Sequence, residues 1–395
     1  MKNIKRLIQC AILLALATAT PVHATQYTWI NTSGTSDWFD AGNWSPSSVP
    51  PTGSDDVFIG NLGYSGTAVI ASGTAYSGSA VIGGNNDGAV IIDHARWDVS
   101  GTGGINIGAY DANVQSSLII NDGMVQASRL VLAAGVSASG LLEIGGQGQG
   151  QIVDGNGNAL AVQSGQGRGT ILFTHSGTAN FANQVVGSGS GAASSSNIDL
   201  QQSGPGTTIL SGSAGIVVDN ITVSAGNLLV ENHAGAVGSV EVRQGLLGGH
   251  GVIASLGTIH IYSGAHLSTT LKVVGTLVLE DGAWLDYAEN SPLSFLYSDS
   301  VTVGVSLTGL VTVDFSKSQL VAGNDYVIID FLNATTPSAD LGGQFIANGV
   351  EGAFSIENNQ LVFHATAVPE PSGWLLLGIG LTVIGLTRLH RGART

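Results

Sequence analysis

Positive charge is scarce in this chain and is concentrated at its two ends. Only 10% of the residues are charged, with 12 basic and 27 acidic side chains. Half of the basic residues lie in the first six or the last eight positions, so residues 25–387 hold six basic residues against all 27 acidic ones. A surface this anionic repels nucleic acid and anionic lipid. We therefore expect no nucleic-acid partner.

Cysteine is almost absent, and the composition also disfavours helices. Cys10 is the only cysteine and lies in a segment that we expect to be removed, which excludes disulfides and thiol chemistry from the remainder. Glycine, at 58 residues, weakens helices but suits tight corners between short strands. Apolar residues make up 43% of the chain, which is ample for a core and argues against disorder.

The N-terminal end has the order of a secretory signal. Three of the first six residues are basic, and residues 7–20 form an apolar run. Val22-His23-Ala24 then ends in a small residue that suits a signal peptidase. We predict a signal peptide over residues 1–24, cleaved between Ala24 and Thr25; a retained membrane helix is the alternative.

The C-terminal end combines a proline motif, an apolar run and a basic tail. Residues 373–387 are apolar, contain Trp374 and, at about 1.5 Å per residue, reach about 22 Å, short of the ~30 Å hydrocarbon core. This segment predicts a short transmembrane helix for transient anchoring, with its terminal arginines in the cytoplasm. The motif and the arginines of the tail are Val368, Pro369, Glu370, Pro371, Ser372, Arg388, Arg391 and Arg394.

This order of motif, apolar run and arginine cluster resembles the PEP-CTERM sorting signal of Gram-negative bacteria. The resemblance covers residues 367–395 and is specific, since all three parts stand in order at the terminus. It implies that an exosortase-type enzyme recognises Pro369, Glu370 and Pro371 and processes the chain nearby. The protein would then be held transiently by the inner membrane before reaching the cell surface or the extracellular space. An ordinary tail anchor is the alternative.

Between the two ends the chain repeats. In its later part, runs that alternate apolar residues end in Gly226, Gly245, Gly264 and Gly282, at steps of 19, 19 and 18 residues. An apolar or bulky residue follows each glycine, and these residues are Leu228, Leu247, Leu267 and Trp284. A period near 20 with apolar side chains at every second position is typical of stacked β-strands.

Earlier in the chain the period is longer and two series of strands interleave. One series contains Ile105–Ile107, Leu130–Leu132 and Leu160–Val162; the other contains Leu118–Ile120, Leu142–Ile144 and Ile171–Phe173. Two series that share one drifting period indicate successive faces of a coil. We therefore predict an all-β fold, a right-handed parallel β-helix over residues 61–366, with a β-sandwich as the alternative.

Residues 25–60 are predicted to cap this solenoid, because an exposed strand edge needs a cover. Trp29, Trp38 and Trp44 lie there, ahead of an Asp-Asp-Val-Phe-Ile-Gly strand. This opening resembles the start of exported β-helical and autotransporter-like passengers, and residues 205–366 resemble passenger-associated repeats. The three tryptophans could stack on sugars, but capping is the preferred interpretation.

Few segments suggest chemistry. Asp154-Gly-Asn-Gly-Asn158 starts like a calcium loop, but Ala159 replaces the usual glycine, which favours a plain turn. Asp93-His94-Ala95-Arg96 mixes acid and base, but alternate residues of a strand point to opposite faces. We expect no catalytic residue, no metal and no cofactor.

These observations favour an exported, noncatalytic protein of the cell surface or extracellular matrix. Its expected partners are signal peptidase, an exosortase-type enzyme and extracellular polysaccharide. A polysaccharide lyase or hydrolase is the first alternative and would need converging carboxylates beside a lysine or arginine. Ice binding is the second and would need a regular Thr-x-Thr ladder, which the sequence does not contain.

Overall fold

The computed structural model describes seven stretches of the chain. Within them the protein is all-β, its long sheets are mainly parallel, and Ala41–Asn43 forms a single 3-10 turn. No helix in these stretches is long and apolar enough to cross a bilayer. The predicted signal segment before Ala24 and the predicted sorting and anchor segment, residues 367–395, lie outside the described residues. The described stretches are residues 24–47, 49–110, 114–187, 197–213, 215–296, 304–331 and 344–366.

The chain divides into two compact units, one up to Asp219 and the other from Asn220. The described residues of the first unit form strands β1 Gln26–Trp29, β2 Thr35–Asp37, β3 Trp44–Ser45, β4 Asp56–Ile59, β5 Gly66–Ile70, β6 Thr74–Ile82, β7 Gly88–Asp93, β8 Arg96–Ile107, β9 Gln115–Asn121, β10 Met124–Ala127, β11 Leu130–Leu132, β12 Ser139–Gly145, β13 Gln151–Val153, β14 Val162–Ser164, β15 Arg168–Phe173, β16 Thr178–Phe181, β17 Val185–Val186, β18 Ile198–Gln202, β19 Thr207–Leu210 and β20 Ile216–Val218.

Parallel ladders stack the strands of the first unit in register. In the ladder of β9, β12 and β15, Leu118 pairs with Leu142 and Leu142 with Ile171, as the second predicted series requires. A second ladder places one buried apolar residue above the next along its inner side. These residues are Tyr27, Val57, Ala80, Ile105, Leu130, Val162 and Val185.

The first predicted series is wrong at its third member. Leu130 pairs with Val162, not with Leu160, so the strand is displaced by two residues. Leu160 instead belongs to a small hairpin, in which Val153 bridges Ala159 and the Leu160 amide donates to the Ile152 carbonyl. The hairpin adds residues between β13 and β14, and the apolar pattern alone does not reveal this insertion.

Glycine makes the sharp corners of this stacking possible. Gly60 ends β4 with φ of +75°, a left-handed conformation that favours glycine. A Cβ atom at this position would lie 2.5 Å from the Asn86 carbonyl oxygen of the next rung. The corner therefore requires glycine both for its backbone conformation and for the close approach of the neighbouring rung.

One polar layer interrupts the apolar interior of the first unit. His175 is fully buried, and its Nε2 lies 2.8 Å from Thr208 Oγ1. Thr208 Oγ1 donates to Gln202 Oε1 at 2.6 Å, and His175 Nδ1 lies 3.1 Å from the Gly177 carbonyl oxygen. Burial lowers the pKa of His175 below its ordinary value, because water no longer solvates the charged imidazolium.

The second unit repeats the same design with shorter rungs. Its described residues form strands β21 Asn220–Val223, β22 Asn227–Val230, β23 His233–Ala236, β24 Val240–Val242, β25 Leu246–Gly248, β26 Val252–Ile261, β27 His266–Ser268, β28 Lys272–Leu279, β29 Trp284–Asp286, β30 Leu293–Phe295, β31 Gly304–Leu307, β32 Val311–Asp314, β33 Asp325–Asp330, β34 Phe345–Asn348, β35 Gly352–Glu357 and β36 Gln360–Ala365.

The predicted register of this unit is confirmed on one face and needs one correction on another. Ile221, Val240, Ile259 and Leu277 pair in succession, as the glycine spacing predicts. On the face of β25, β27 and β29 the stacked inner residues are Leu247, Leu267 and Leu285. Trp284, which the sequence pattern placed in this column, instead pairs with His266 on the outer side.

One additional residue between the glycine and the stacked leucine explains why Trp284 points outward. Leu247 follows Gly245 by two positions, whereas Leu285 follows Gly282 by three, with the buried Ala283 between them. Adding one residue to a strand reverses the side to which each following side chain points. Trp284 has the same distance from its glycine as Leu247 but points outward.

The second unit closes with an antiparallel sheet. Strand β36 pairs with β33 on one side and with β35 on the other. Its inner face adds Phe363, whose ring lies 4.5 Å from that of Phe315 and 4.8 Å from that of Phe354. β33 also pairs in parallel with β30, so these three strands continue the preceding ladder and end it with antiparallel pairing.

Adjacent substitutions on β29 test the inward and outward assignments. We expect Leu285→Ala to lower the free energy of unfolding by about 2–5 kcal/mol, because it leaves a cavity in a stacked column. Trp284→Ala should cost about 1 kcal/mol or less, since its side chain is partly exposed. Urea unfolding followed by circular dichroism measures both; an equal or reversed order would contradict the observed register.

Candidate functional site

The tryptophans of the predicted cap are not available to a ligand. Trp29, Trp38 and Trp44 are each 0% exposed. The Trp44 ring meets Trp29 edge-on at 5.0 Å and Trp38 at 4.8 Å, and Trp44 Nε1 donates to the Trp38 carbonyl oxygen at 2.8 Å. Packing on all sides leaves no flat ring face for stacking on a sugar, so these rings serve the hydrophobic core.

The calcium-like run folds as a turn, as expected. Asp154 Oδ1 accepts the Asn156 amide at 2.7 Å and the Asn158 amide at 2.9 Å, and Gly157 takes a φ of +82°. The hydrogen bonds from the Asn158 and Asn156 amides lower the pKa of Asp154. Within the described stretches no three acidic, histidine or cysteine side chains converge on a common point as metal ligands would.

The mixed segment at residues 93–96 is a corner, and our expectation of a continuous strand there is wrong. β7 ends at Asp93, His94 takes a φ of +54°, and β8 begins at Arg96. Arg96 Nε donates to Asp98 Oδ1 on the same strand at 2.5 Å, and its Nη2 donates to Gln126 Oε1 on β10 at 2.6 Å, so the guanidinium is paired with residues other than His94. The left-handed conformation of His94 changes the direction of the chain between the two strands, which belong to different ladders.

The outer face of the closing sheet carries a cluster that the sequence pattern does not reveal. His364 on β36 donates from Nδ1 to Asp325 Oδ1 at 2.6 Å. Its Nε2 lies 2.7 Å from Ser355 Oγ and 3.1 Å from Glu357 Oε1. These four residues come from three strands, so His364 ties β33, β36 and β35 together.

This cluster has the order of a nucleophile, a base and an orienting carboxylate, but a second carboxylate changes its chemistry. Ser355 Oγ also donates to Glu357 Oε1 at 2.7 Å. Two carboxylates around one imidazole stabilise its charged form, which has no lone pair to accept the serine proton. The hydrogen bond to Asp325, with the nearby charge of Glu357, raises the pKa of His364 above its ordinary value. The arrangement suits a charged clamp better than a general base.

We expect this clamp to make stability depend on pH. Because the pKa of His364 is raised on folding, its contribution is fully present below the ordinary histidine pKa and is lost as the pH rises through the folded value. The urea midpoint should therefore fall above pH 6.5 more steeply in the unmodified protein than in His364→Gln.

The matched control is His250→Gln, because the His250 side chain is 78% exposed and contacts only Glu231 among the described charged groups. This variant should follow the unmodified protein across the whole pH range. A His364→Gln variant with the same pH profile as the unmodified protein would contradict the clamp.

A second surface feature lies on the outer side of the ladder of β25, β27, β29, β32 and β34. The outward residues form two parallel columns that cross the strands. The aromatic column contains Leu246, His266, Trp284, Thr312 and Ile346, and the polar column contains Ser268, Asp286, Asp314 and Asn348.

The centre of these columns is held by stacking and hydrogen bonds. The His266 ring lies against Trp284, with centroids 5.4 Å apart and planes 22° apart. His266 Nδ1 lies 2.6 Å from Asp286 Oδ1 in the neighbouring column. In the next rung Asp314 Oδ1 accepts Asn348 Nδ2 at 3.0 Å. A partly exposed indole therefore stands beside carboxylate and amide oxygens on a flat sheet.

Burial alone would raise the pKa of Asp314, but other contacts outweigh it. Hydrogen bonds from the Ser316 amide and hydroxyl and from Asn348, with the charge of Lys317, hold its pKa below the ordinary value. Asp314 thus remains an ionised acceptor across a wide pH range.

A cavity beside the closing sheet has a volume of about 750 Å³. Glu289 and Asp325 lie in its wall together with Asn290, Asn324 and Gln360. No lysine or arginine among the described residues lines it. It therefore does not combine converging carboxylates with a basic residue, the arrangement that polysaccharide cleavage was expected to need.

The structure describes the residues of the predicted signal cleavage but not those of the predicted sorting signal. Ala24 and Thr25 are described, at the start of the first unit. The sorting motif Val368–Ser372 and the anchor residues Trp374, Arg388, Arg391 and Arg394 lie outside the described residues.

Comparisons with models of protein families, with curated proteins and with solved structures give no match to this chain.

Proposed function

We propose that this chain is an exported, noncatalytic protein of the bacterial cell surface or extracellular matrix, sorted through a PEP-CTERM signal. The observation that carries the proposal is the in-register stacking of parallel strands in both units. Such stacking places apolar side chains inside and leaves regular polar faces outside, which suits a scaffold that contacts extracellular polysaccharide. The PEP-CTERM resemblance of residues 367–395 supports the sorting route.

The scaffold is proposed to be a right-handed parallel β-helix. Three observations support this: successive strands return to the same ladder, most paired strands run parallel, and several ladders share the same turns of chain. Connections between parallel strands of one sheet are right-handed in about 98% of cases because strands twist to the right.

Two alternatives receive less support. A polysaccharide lyase or hydrolase would need converging carboxylates beside a lysine or arginine, whereas the cluster of the closing sheet holds a histidine, His364, between Asp325 and Glu357. Ice binding would need threonines repeated on one outer column, but the ladder partners that follow Thr67 are Ala89, Ser117 and Leu141.

Export is tested most directly by fractionating the native cells and determining both ends of the protein by mass spectrometry. We expect the protein outside the cytoplasm, starting at Thr25 and lacking Arg388, Arg391 and Arg394. A cytoplasmic protein that retains residues 1–24 would contradict the proposed function.

A contact of Thr25 supports the proposed cleavage between Ala24 and Thr25. Asp55 is only 7% exposed, and its Oδ1 accepts the Thr25 backbone nitrogen at 3.3 Å. Its Oδ2 accepts Thr52 Oγ1 at 2.6 Å and the Thr52 amide at 2.8 Å. Cleavage before Thr25 turns this amide into a positively charged α-amino group, which would pair with the buried carboxylate.

Asp55→Asn should therefore destabilise a chain that starts at Thr25 more than one that retains Ala24. We expect a difference of about 1–3 kcal/mol between the two effects, because only the shorter chain has a charged donor at this position. Urea unfolding of the four proteins completes the cycle. An equal cost of Asp55→Asn in both backgrounds would contradict the ion pair.

A further inference from the structure

We propose that the aromatic and polar columns of the second unit bind a neutral polysaccharide, with Trp284 as the platform for one sugar ring. This inference rests on the proposed function for its setting, since an extracellular protein meets such chains. The residues that carry the proposal lie on the outer side of the ladder formed by β25, β27, β29, β32 and β34.

The platform is fixed before any ligand arrives. The Trp284 indole is supported by His266 at 5.4 Å, and His266 is held by Asp286 at 2.6 Å. Leu285, the next residue, is fully buried in the stacked interior, which fixes the backbone beneath the indole. A pre-organised side chain loses little conformational freedom on binding, so more of the contact energy appears as affinity.

The chemistry around the indole matches a sugar ring. The ring of a pyranose has apolar C–H faces and a polar rim of hydroxyls, so it needs a flat apolar surface bordered by acceptors. His266 covers one face of the Trp284 indole, and the other face provides the surface. Asp286 and Asp314 already bind His266, Ser316 and Asn348, and a carboxylate has about four acceptor positions, so each retains capacity for a sugar hydroxyl. Hydroxyl donors to ionised carboxylates make short and strong hydrogen bonds.

Charge selects the class of polysaccharide. Asp286 and Asp314 stand together in the polar column, and the basic side chain beside them, Lys317, has its Nζ 4.0 Å from Asp286 Oδ2. The chain as a whole carries a formal charge of −15. A polyuronate would be repelled by this surface, whereas an uncharged chain would not. We therefore assign a neutral ligand.

The arrangement of the columns also indicates where a sugar ring would lie. The columns cross the strands at right angles, and neighbouring strands lie about 4.8 Å apart, so five rungs span about 19 Å. Leu246 lies next to the His266–Trp284 stack at one end of the column, and Ile346, at 48% exposure, lies beyond Thr312 at the other end. Because the His266 and Trp284 rings face each other along the direction of stacking, a sugar ring on the other face of the indole would lie over Thr312 in the next rung.

Native affinity electrophoresis of the mature chain tests the proposal. Gels contain a neutral β-glucan, a neutral galactomannan, starch or, as the charged probe, alginate. We expect retardation by at least one neutral polysaccharide and none by alginate. Trp284→Ala should weaken the binding about tenfold, and Trp284→Phe should weaken it less because it keeps an aromatic ring.

The matched control is Tyr76→Ala, which removes an aromatic side chain that is 49% exposed on the first unit. It should bind as the unmodified protein does. Circular dichroism of every variant shows that the fold is retained, and Trp284→Phe provides a second measurement should Trp284→Ala fail to fold.

Quenching of tryptophan fluorescence locates the bound ligand. Trp29, Trp38, Trp44 and Trp97 are fully buried, whereas Trp284 is partly exposed. The difference in acrylamide quenching between the unmodified protein and Trp284→Phe reports on Trp284 alone. A bound polysaccharide should reduce this difference signal.

Each other outcome overturns the assignment. Absence of retardation by all three neutral polysaccharides excludes the ligand class, and stronger retardation by alginate excludes the charge argument. Equal binding by Trp284→Ala and the unmodified protein would show that Trp284 does not belong to the binding site. None of these results alters where the protein resides, so cell fractionation separates failure of this site from failure of the proposed function.

Discussion

The whole structure depends on one constraint: an inward side chain must lie directly above the inward side chain of the preceding rung. A single strand such as Val240–Val242 has only two buried side chains and cannot bury them alone. Pairing with β21 and β26 covers them on both sides. A corner, bulge or surface residue is compatible with the fold when it leaves this register unchanged.

The same constraint creates the outer surface. When Leu267 and Leu285 are stacked inside, His266 and Trp284 are necessarily neighbours outside, because successive side chains of a strand alternate between its faces. Two histidines show how the location of a side chain changes its pKa. His175, enclosed in the interior, has a lowered pKa, whereas His364, held by carboxylates on the outer face, has a raised one.

Much of the fold was predictable from the sequence, but few of the surface contacts were. The steps between Gly226, Gly245 and Gly264 predicted the ladder of Ile221, Val240 and Ile259 because regular spacing repeats regular pairing. Leu160 and Trp284 were misplaced because a hairpin and one extra residue shift the register without changing the apolar pattern. The contact of Asp325 with His364 spans 39 residues, and its antiparallel pairing has no periodic signal.

The stacking has a consequence for how such a chain can change over generations. Removing a stretch from one corner glycine to the next, as from Gly226 to Gly245, deletes a complete rung and lets its two neighbours pair directly. Losing a single residue within a strand instead exchanges the inward and outward positions of the side chains that follow, because these positions alternate. Variation in the length of genes of this design should therefore come in units of entire rungs, and small deletions should be confined to the bulging loops.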